Sequence, residues 1–247
     1  MPSSVLAFSL LVMRSFLLNL AFYGWTALLC VVCLGALVLP RKSLFACMRL
    51  WLGGLHTIEH SVGGIRATIV GYEHLPPKPY IVAAKHQSAW ETFTLARLLD
   101  QPAIVLKAEL MRLPLWGWYA SRAGMIPVDR AGRRRALTRM LRAARQAADE
   151  GRALVIFPQG TRVAPGAKAP YHVGVAALYQ ALALPVVPVA VNSGRLWPKN
   201  SFLKRPGVVT LAFLPPIPPG LPRTVFMERL ETTLESASAR LLEPPTL

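Results

Sequence analysis

Tyr80-Ile81-Val82-Ala83-Ala84-Lys85-His86-Gln87-Ser88-Ala89-Trp90-Glu91 is the stretch from which the rest of the chain is read. Tyr80–Ala84 is a short apolar run of strand type, Lys85–Ser88 is polar, and helical spacing begins at Ala89 and continues to Leu99. Strand, turn and helix in that order make half of a βαβ unit. On both sides the same alternation recurs. Ala67–Val70, Ala103–Leu106, Met125–Val128, Ala153–Phe157, Pro185–Val191 and Val208–Phe213 read as further strands. Leu115–Arg122, Arg134–Glu150, Val173–Ala183 and Thr224–Leu242 read as further helices. Strands alternating with helices predict an α/β fold: a single layered domain with a mostly parallel central sheet flanked by helices, over residues 64–247. Pro215–Pro222 is Pro-rich and connects to the last helix.

His86 falls in the strand-to-helix turn, where side chains are presented at the end of a sheet. Glu91, five residues on, can turn back toward the imidazole and fix its tautomer. An imidazole has an ordinary pKa of about 6.5 and, held this way, can take a proton from a hydroxyl. Positioned general-base catalysis contributes about 10² to 10⁴ in rate. Ser88 and Glu91 also fit a capping box, with Ser88 as N-cap and Glu91 at N3. The two readings of Glu91 do not exclude each other.

A second polar turn, Phe157-Pro158-Gln159-Gly160-Thr161-Arg162, follows the apolar Ala153–Ile156. Gly160 lets backbone N–H groups approach a ligand, Thr161 adds a hydroxyl donor, and the planar fork of Arg162 suits a phosphate. Alone this is also a plain strand-end turn.

Composition sets the surroundings. The 247 residues are 53% hydrophobic and 16% charged, with a net charge of +16. Such a balance points to a polyanion, and the apolar excess favours an anionic membrane over nucleic acid. No Asp or Glu occurs between Glu150 and Glu228, while Arg152, Arg162, Lys168, Arg195, Lys199, Lys204, Arg205 and Arg223 do. That span offers no carboxylate pair and no hard-metal cage, and it suits an anionic ligand. Residues 1–63 read as an N-terminal membrane-anchoring helical segment. Phe16–Pro40 is almost wholly apolar, with Asn19 the main polar interruption. As a helix it would extend roughly 37 Å against a hydrocarbon core of about 30 Å. Arg14 precedes it, and Arg41, Lys42 and Arg49 follow, which places the C-terminal side at the cytoplasm. Leu44–Leu55 is a second apolar segment, so a spanning helix and a hairpin lying in one leaflet both remain open. Along Arg134–Glu150, Leu137, Met140, Leu141, Ala144 and Ala148 share one face, while Arg135, Arg139, Arg142 and Arg145 share the other. That is a packed helix with a solvated side, or an arginine face for anionic head groups.

His86 and Glu91 at H-x4-E, followed about 70 residues later by the Phe157–Arg162 turn, resemble the glycerophospholipid acyltransferases. Within these, the pattern is most similar to the 1-acyl-sn-glycerol-3-phosphate acyltransferases (PlsC-like). Lys107-Ala108-Glu109-Leu110, with Pro114, Gly117, Gly124, Ile126 and Arg130, resembles the family's second block, and Val187-Pro188-Val189 its fourth. The resemblance runs from roughly Gly71 to Val191. It implies that His86 deprotonates the acceptor hydroxyl and that Glu91 orients His86. It further implies that Arg130, Gly160, Thr161 and Arg162 hold the acceptor's phosphate, and that the block at Pro188 helps form a substrate site. The implied donor is acyl-CoA or acyl-carrier protein, the acceptor a membrane lysophospholipid, and no cofactor or metal is required. The implied location is a membrane surface on its cytoplasmic face. Two positions depart from the family's usual residues. Glu91 stands where Asp is common, which preserves charge and lengthens reach; Gln159 stands where Glu is common, which removes a charge.

Other patterns carry less. Cys30 and Cys33 form C-x-x-C inside an apolar run, which reads as buried thiols. His56, Glu59 and His60 match H-x-x-E-H, a zinc-protease pattern that here lacks a third ligand, and His74 and His172 have no motif partner. An apolar groove lined by Leu113, Trp116 and Trp118 is expected for the acyl chain. The rival expectations are another acceptor such as a lyso-ornithine lipid, a non-catalytic basic membrane-surface protein, and a nucleic-acid binder, for which no motif is present.

Overall fold

The computed structural model describes residues 2–129 and 133–243. The elements follow in the order α1 (Pro2–Val32), α2 (Arg41–Ser61), β1 (Ile65–Val70), β2 (Ile81–Ala84), α3 (Trp90–Leu98), β3 (Ala103–Lys107), α4 (Trp116–Arg122), β4 (Ile126–Val128), α5 (Arg133–Asp149), β5 (Leu154–Ile156), α6 (Val173–Leu182), β6 (Val186–Val191), β7 (Gly207–Phe213) and α7 (Arg223–Arg240). The strands form one sheet in the order β1-β7-β6-β2-β5-β3-β4. β6, β2, β5, β3 and β4 are mutually parallel; β7 runs antiparallel to β6 and parallel to β1. The α/β expectation of a mostly parallel sheet is met, with a reversed two-strand edge.

The sheet is covered on both sides, which is why its central strands are continuous apolar runs. Side chains alternate across the pleat. Val82, Ala84, Val155 and Val189 join Leu18 of α1 and Trp90 and Leu95 of α3 in one core, against which Ile58 of α2 packs. Ile81, Ala83, Leu154 and Ile156 join Met140 and Ala144 of α5, Tyr179 of α6 and Phe226 of α7 in the other. The N-terminal helices therefore lie on one face of the sheet and the arginine-bearing α5 on the opposite face.

α1 is long and apolar enough to cross a membrane over Val5–Val32, but it does not stand away from the domain. Ser15 Oγ accepts from Lys204 N at 2.9 Å, and Asn19 Nδ2 donates to Phe202 O at 3.1 Å. Phe22 packs against Phe93 and Trp197, and Tyr119 Oη donates to Cys30 O at 2.9 Å. The opposite side of α1 exposes Phe8, Met13, Phe16, Leu20, Tyr23 and Leu28. α2 extends beyond the expected Leu44–Leu55, because its polar ends pack too: Arg41 pairs with Glu150 at 2.8 Å and Glu59 is buried.

Candidate active site

The turn after β2 is built around one carboxylate. Glu91, in the first turn of α3, is fully buried. Its Oε1 accepts from His86 Nδ1 at 2.8 Å, from Gln87 N at 2.6 Å and from Ser88 N at 2.8 Å. Its Oε2 accepts from Ser88 Oγ at 3.0 Å and from Ser193 Oγ at 2.7 Å. Burial alone would push this carboxyl up; the bond and charge of His86, then Ser193 and the Ser88 amide, outweigh it and hold the pKa below the usual carboxylate range. An ionised carboxylate only accepts, so Nδ1 carries the hydrogen and Nε2 of the neutral ring keeps its lone pair. The ring lies flat on Phe157, centroids 4.0 Å apart, and is 18% exposed. The capping reading is also partly met: Ser88 N–H donates to Glu91, while Ser88 Oγ accepts from Trp90 N at 2.9 Å. One side chain performs both tasks.

Two further contacts immobilise this turn from distant parts of the chain. Lys85 is buried beside His86 and pairs with Glu235 of α7, which also accepts from Tyr171 Oη. Gln87 Oε1 accepts from Gly194 N at 3.0 Å.

β5 is the parallel neighbour of β2, so the Phe157–Arg162 turn leaves the sheet at the same end. Val163 N–H donates to His86 O at 2.8 Å and joins the two loops directly. Gly160 takes φ 63°, a left-handed conformation, and its N–H closes the turn onto Phe157 O at 2.9 Å. Thr161 is exposed and Arg162 half-buried. The turn is backed by the segment between β6 and β7. Arg162 Nη2 donates to Asn200 Oδ1 at 3.1 Å, and Lys199 Nζ donates to Thr161 Oγ1 at 3.2 Å and to Arg162 O at 3.3 Å. Burial, then the charge of Arg162, lower the pKa of Lys204. Among the described residues no carboxylate pairs with Arg162, Lys199 or Lys204. Gln159 is 2% exposed, and among the described residues its amide oxygen and nitrogen have no hydrogen-bond partner.

A cavity of about 620 Å³ opens where the loops meet, with His86, Lys107, Arg134, Phe157, Gly160 and His172 in its wall. Against it lies a second, wholly apolar space of about 130 Å³ that includes Cys30, Trp51, Phe93 and Trp116. Thr92, Ile104 and Leu106 belong to both walls. The Glu91-held imidazole, the turn that carries Arg162 and an apolar annex thus share one end of the sheet.

A family model described as "Acyltransferase" matches residues 66–192, which take in the turns after β2 and β5 and stop just before Ser193. The chain belongs to this acyltransferase family. It is 36% identical over 154 residues to the 1-acyl-sn-glycerol-3-phosphate acyltransferase of Pseudomonas aeruginosa, covering 62% of this chain and 60% of that one. It is 33% identical over 159 residues to the enzyme of that name from Saccharomyces cerevisiae, covering 62% and 52%. The human 1-acyl-sn-glycerol-3-phosphate acyltransferase alpha is 28% identical over 204 residues, covering 81% and 71%. The match thus spans about half to six-tenths of the length of the first two relatives. The 1-acyl-sn-glycerophosphate (LPA) acyltransferase PlsC of Thermotoga maritima shares the fold, with a TM-score of 0.77 over 95% of this chain and 99% of that one at 23% identity.

In this member of the acyltransferase family, His86 and Gly160 line the cavity, while Glu91 lies behind His86 and Thr161 and Arg162 continue the Gly160 turn outside the cavity wall. Pro188 does not line it. It is buried inside β6 opposite Ala83, in the gap between the Val186–Ile217 bridge and the Val189–Phe213 pair, where a residue without N–H is tolerated. Arg130 lies outside the described residues. Of the residues expected to line an acyl groove, Trp116 borders the apolar annex, whereas Leu113 and Trp118 are exposed. His172, which had no motif partner, borders the main cavity. Ser193 was not singled out from the sequence, because only the parallel pairing of β6 with β2 brings it to Glu91. His56 and His60 gather no third ligand: among the described residues no group of three His, Cys, Asp or Glu is placed to hold a metal ion.

Proposed function

We propose that this chain moves a fatty acyl group from acyl-CoA or acyl-carrier protein to the sn-2 hydroxyl of 1-acyl-glycerol-3-phosphate, giving phosphatidic acid. One observation carries the reading: a Glu91-held imidazole and an arginine-bearing turn are joined by the Val163–His86 hydrogen bond at the mouth of one cavity. The acceptor's phosphate sits against Arg162 and Thr161, where charge-assisted hydrogen bonds are strong and no carboxylate competes. His86 Nε2 takes the hydroxyl proton as the oxygen attacks the thioester carbonyl. The tetrahedral intermediate collapses and the C–S bond breaks. The thiolate leaves with the proton carried by the imidazolium, so His86 and Glu91 return to their starting state. Glu91 steadies the transient imidazolium, and no acyl-enzyme is formed. The annex beside Trp51 and Trp116 suits an acyl chain.

The names of the relatives support this acceptor, and the exposed apolar side of α1 supports work at a bilayer. Because α1 is fastened to the domain from Ser15 to Cys30, we infer one-leaflet insertion at the cytoplasmic face rather than a crossing. The test is a panel: purified protein in mixed micelles, labelled acyl donor, and acceptors with and without a phosphomonoester. Transfer to 1-acyl-glycerol-3-phosphate well above transfer to a lyso-ornithine lipid or lysophosphatidylcholine is expected. Equal transfer to all would overturn the acceptor, and no transfer at all would leave a basic membrane-surface protein.

A further inference from the structure

The exposed side of α5 is not used by the chemistry above. Arg135, Arg139 and Arg142 are exposed there, and within the described residues they form no ion pair or side-chain hydrogen bond. Arg145 is not part of this free set, because its guanidinium donates to Ala181 O at the end of α6. The opposite side of the helix, Ala136, Met140, Ala144 and Ala147, is buried against the sheet. The cations are thus held on a rigid element, on one side, over roughly 10 Å from Arg135 to Arg142. That exceeds the footprint of a single phosphate, and none of the three lines the cavity that holds His86. Two placements say what it meets. Arg134, just before the row, borders the cavity that holds His86, so the row starts at the mouth of the site and leads away from it. α5 also covers the sheet face opposite to α1, so a bilayer that takes up Phe8, Phe16 and Leu20 lies on the far side of the sheet from the row.

We propose that Arg135, Arg139 and Arg142 dock an acidic acyl-carrier protein, whose thioester-bearing arm then enters past Arg134 toward His86. The proposal rests on the acyl-transfer reading and commits it to a donor carrier. Charge complementarity of this kind acts on encounter rate and partner choice and weakens with salt.

The test uses the full chain in detergent micelles. Binding of acylated carrier protein is measured by surface plasmon resonance for wild type and for Arg135→Glu/Arg139→Glu/Arg142→Glu, at two salt concentrations. Turnover with acyl-CoA is measured in parallel. Expected are salt-sensitive binding by wild type, affinity for the carrier protein weakened about tenfold or more in the variant, and acyl-CoA turnover within about twofold of wild type. Carrier binding that is unchanged overturns the proposal, as does an equal loss with acyl-CoA, or a loss confined to binding of anionic vesicles. If the triple variant fails to fold, Arg139→Glu alone carries the same comparison. Binding needs no acyl transfer, so absence of turnover in wild type sinks the transfer reading separately.

Discussion

Two turns sit side by side at one end of the sheet and are built in opposite ways. The turn after β2 is closed: Glu91 is fully buried, accepts five hydrogen bonds, and is braced by Ser193, with Gln87 and Lys85 clamped from β6 and α7 sides. The turn after β5 is open: its Thr161 is exposed and its Arg162 half-buried, both are propped by Lys199 and Asn200, and among the described residues they meet no carboxylate. The difference teaches a division of labour. Under the proposed acyl transfer, the group that keeps one orientation through a proton transfer is over-determined by the fold, while the group proposed to receive an anion has no carboxylate partner among the described residues.

Substitutions can break each half separately. Glu91→Gln keeps the shape and removes the charge that fixes the imidazole. We expect kcat to fall on the order of 10²-fold or more, with a stability loss of about 1–3 kcal/mol as donors lose their acceptor, read by turnover and thermal unfolding. The same residue predicts a pH effect. A carboxyl whose folded pKa is depressed stabilises the protein above its unfolded pKa, and that contribution is lost as pH falls through the folded value. Acid unfolding of the Gln variant should lack this component.

In the open turn, Arg162→Ala should raise KM for the phosphorylated acceptor roughly 10- to 100-fold, as expected for losing a hydrogen bond of about 1.5–3 kcal/mol to a charged group. Its kcat should move much less. Comparable losses in kcat would place Arg162 in the chemistry and erase the division. Ser193→Ala removes one of the bonds on Glu91 and should lower kcat about twofold to tenfold with KM unchanged.

The smallest catalytic effect is expected at Glu59, which meets the first turn only through the side chain of Trp90. Burial raises the Glu59 carboxyl to about 8. Its unfolded counterpart ionises in the ordinary range, so wild type loses stability as pH rises from there to about 8. Glu59→Gln should therefore gain stability over wild type on going from pH 5 to pH 8 while turnover stays the same; thermal unfolding at the two pH values checks it.

Much of this arrangement was legible because its parts are local. The strands and helices of the α/β region follow from apolar runs and spacing, and their observed ends lie within two residues of the expected ones. His86 and Glu91 lie five residues apart, and the Phe157–Arg162 turn is contiguous, so each could be read as a unit. The clamps were not legible, because Ser193, Gly194 and Glu235 reach the first turn from more than 100 residues away, and only strand order brings them there. Pro188 shows the reverse failure: a residue within a family block whose contribution is to the sheet rather than the cavity. In α1 the apolar run was plain, but its docking was signalled only by Ser15 and Asn19, the polar interruptions that meet the 202–204 segment.

The most direct test of the account is His86→Ala, assayed for turnover and, by calorimetry, for binding of 1-acyl-glycerol-3-phosphate without donor. The account predicts a fall in turnover of about 10² to 10⁴ with acceptor affinity held near wild type and a folded protein whose melting temperature drops because Glu91 loses a donor. Turnover that survives the substitution, or acceptor binding that disappears with it, would contradict it.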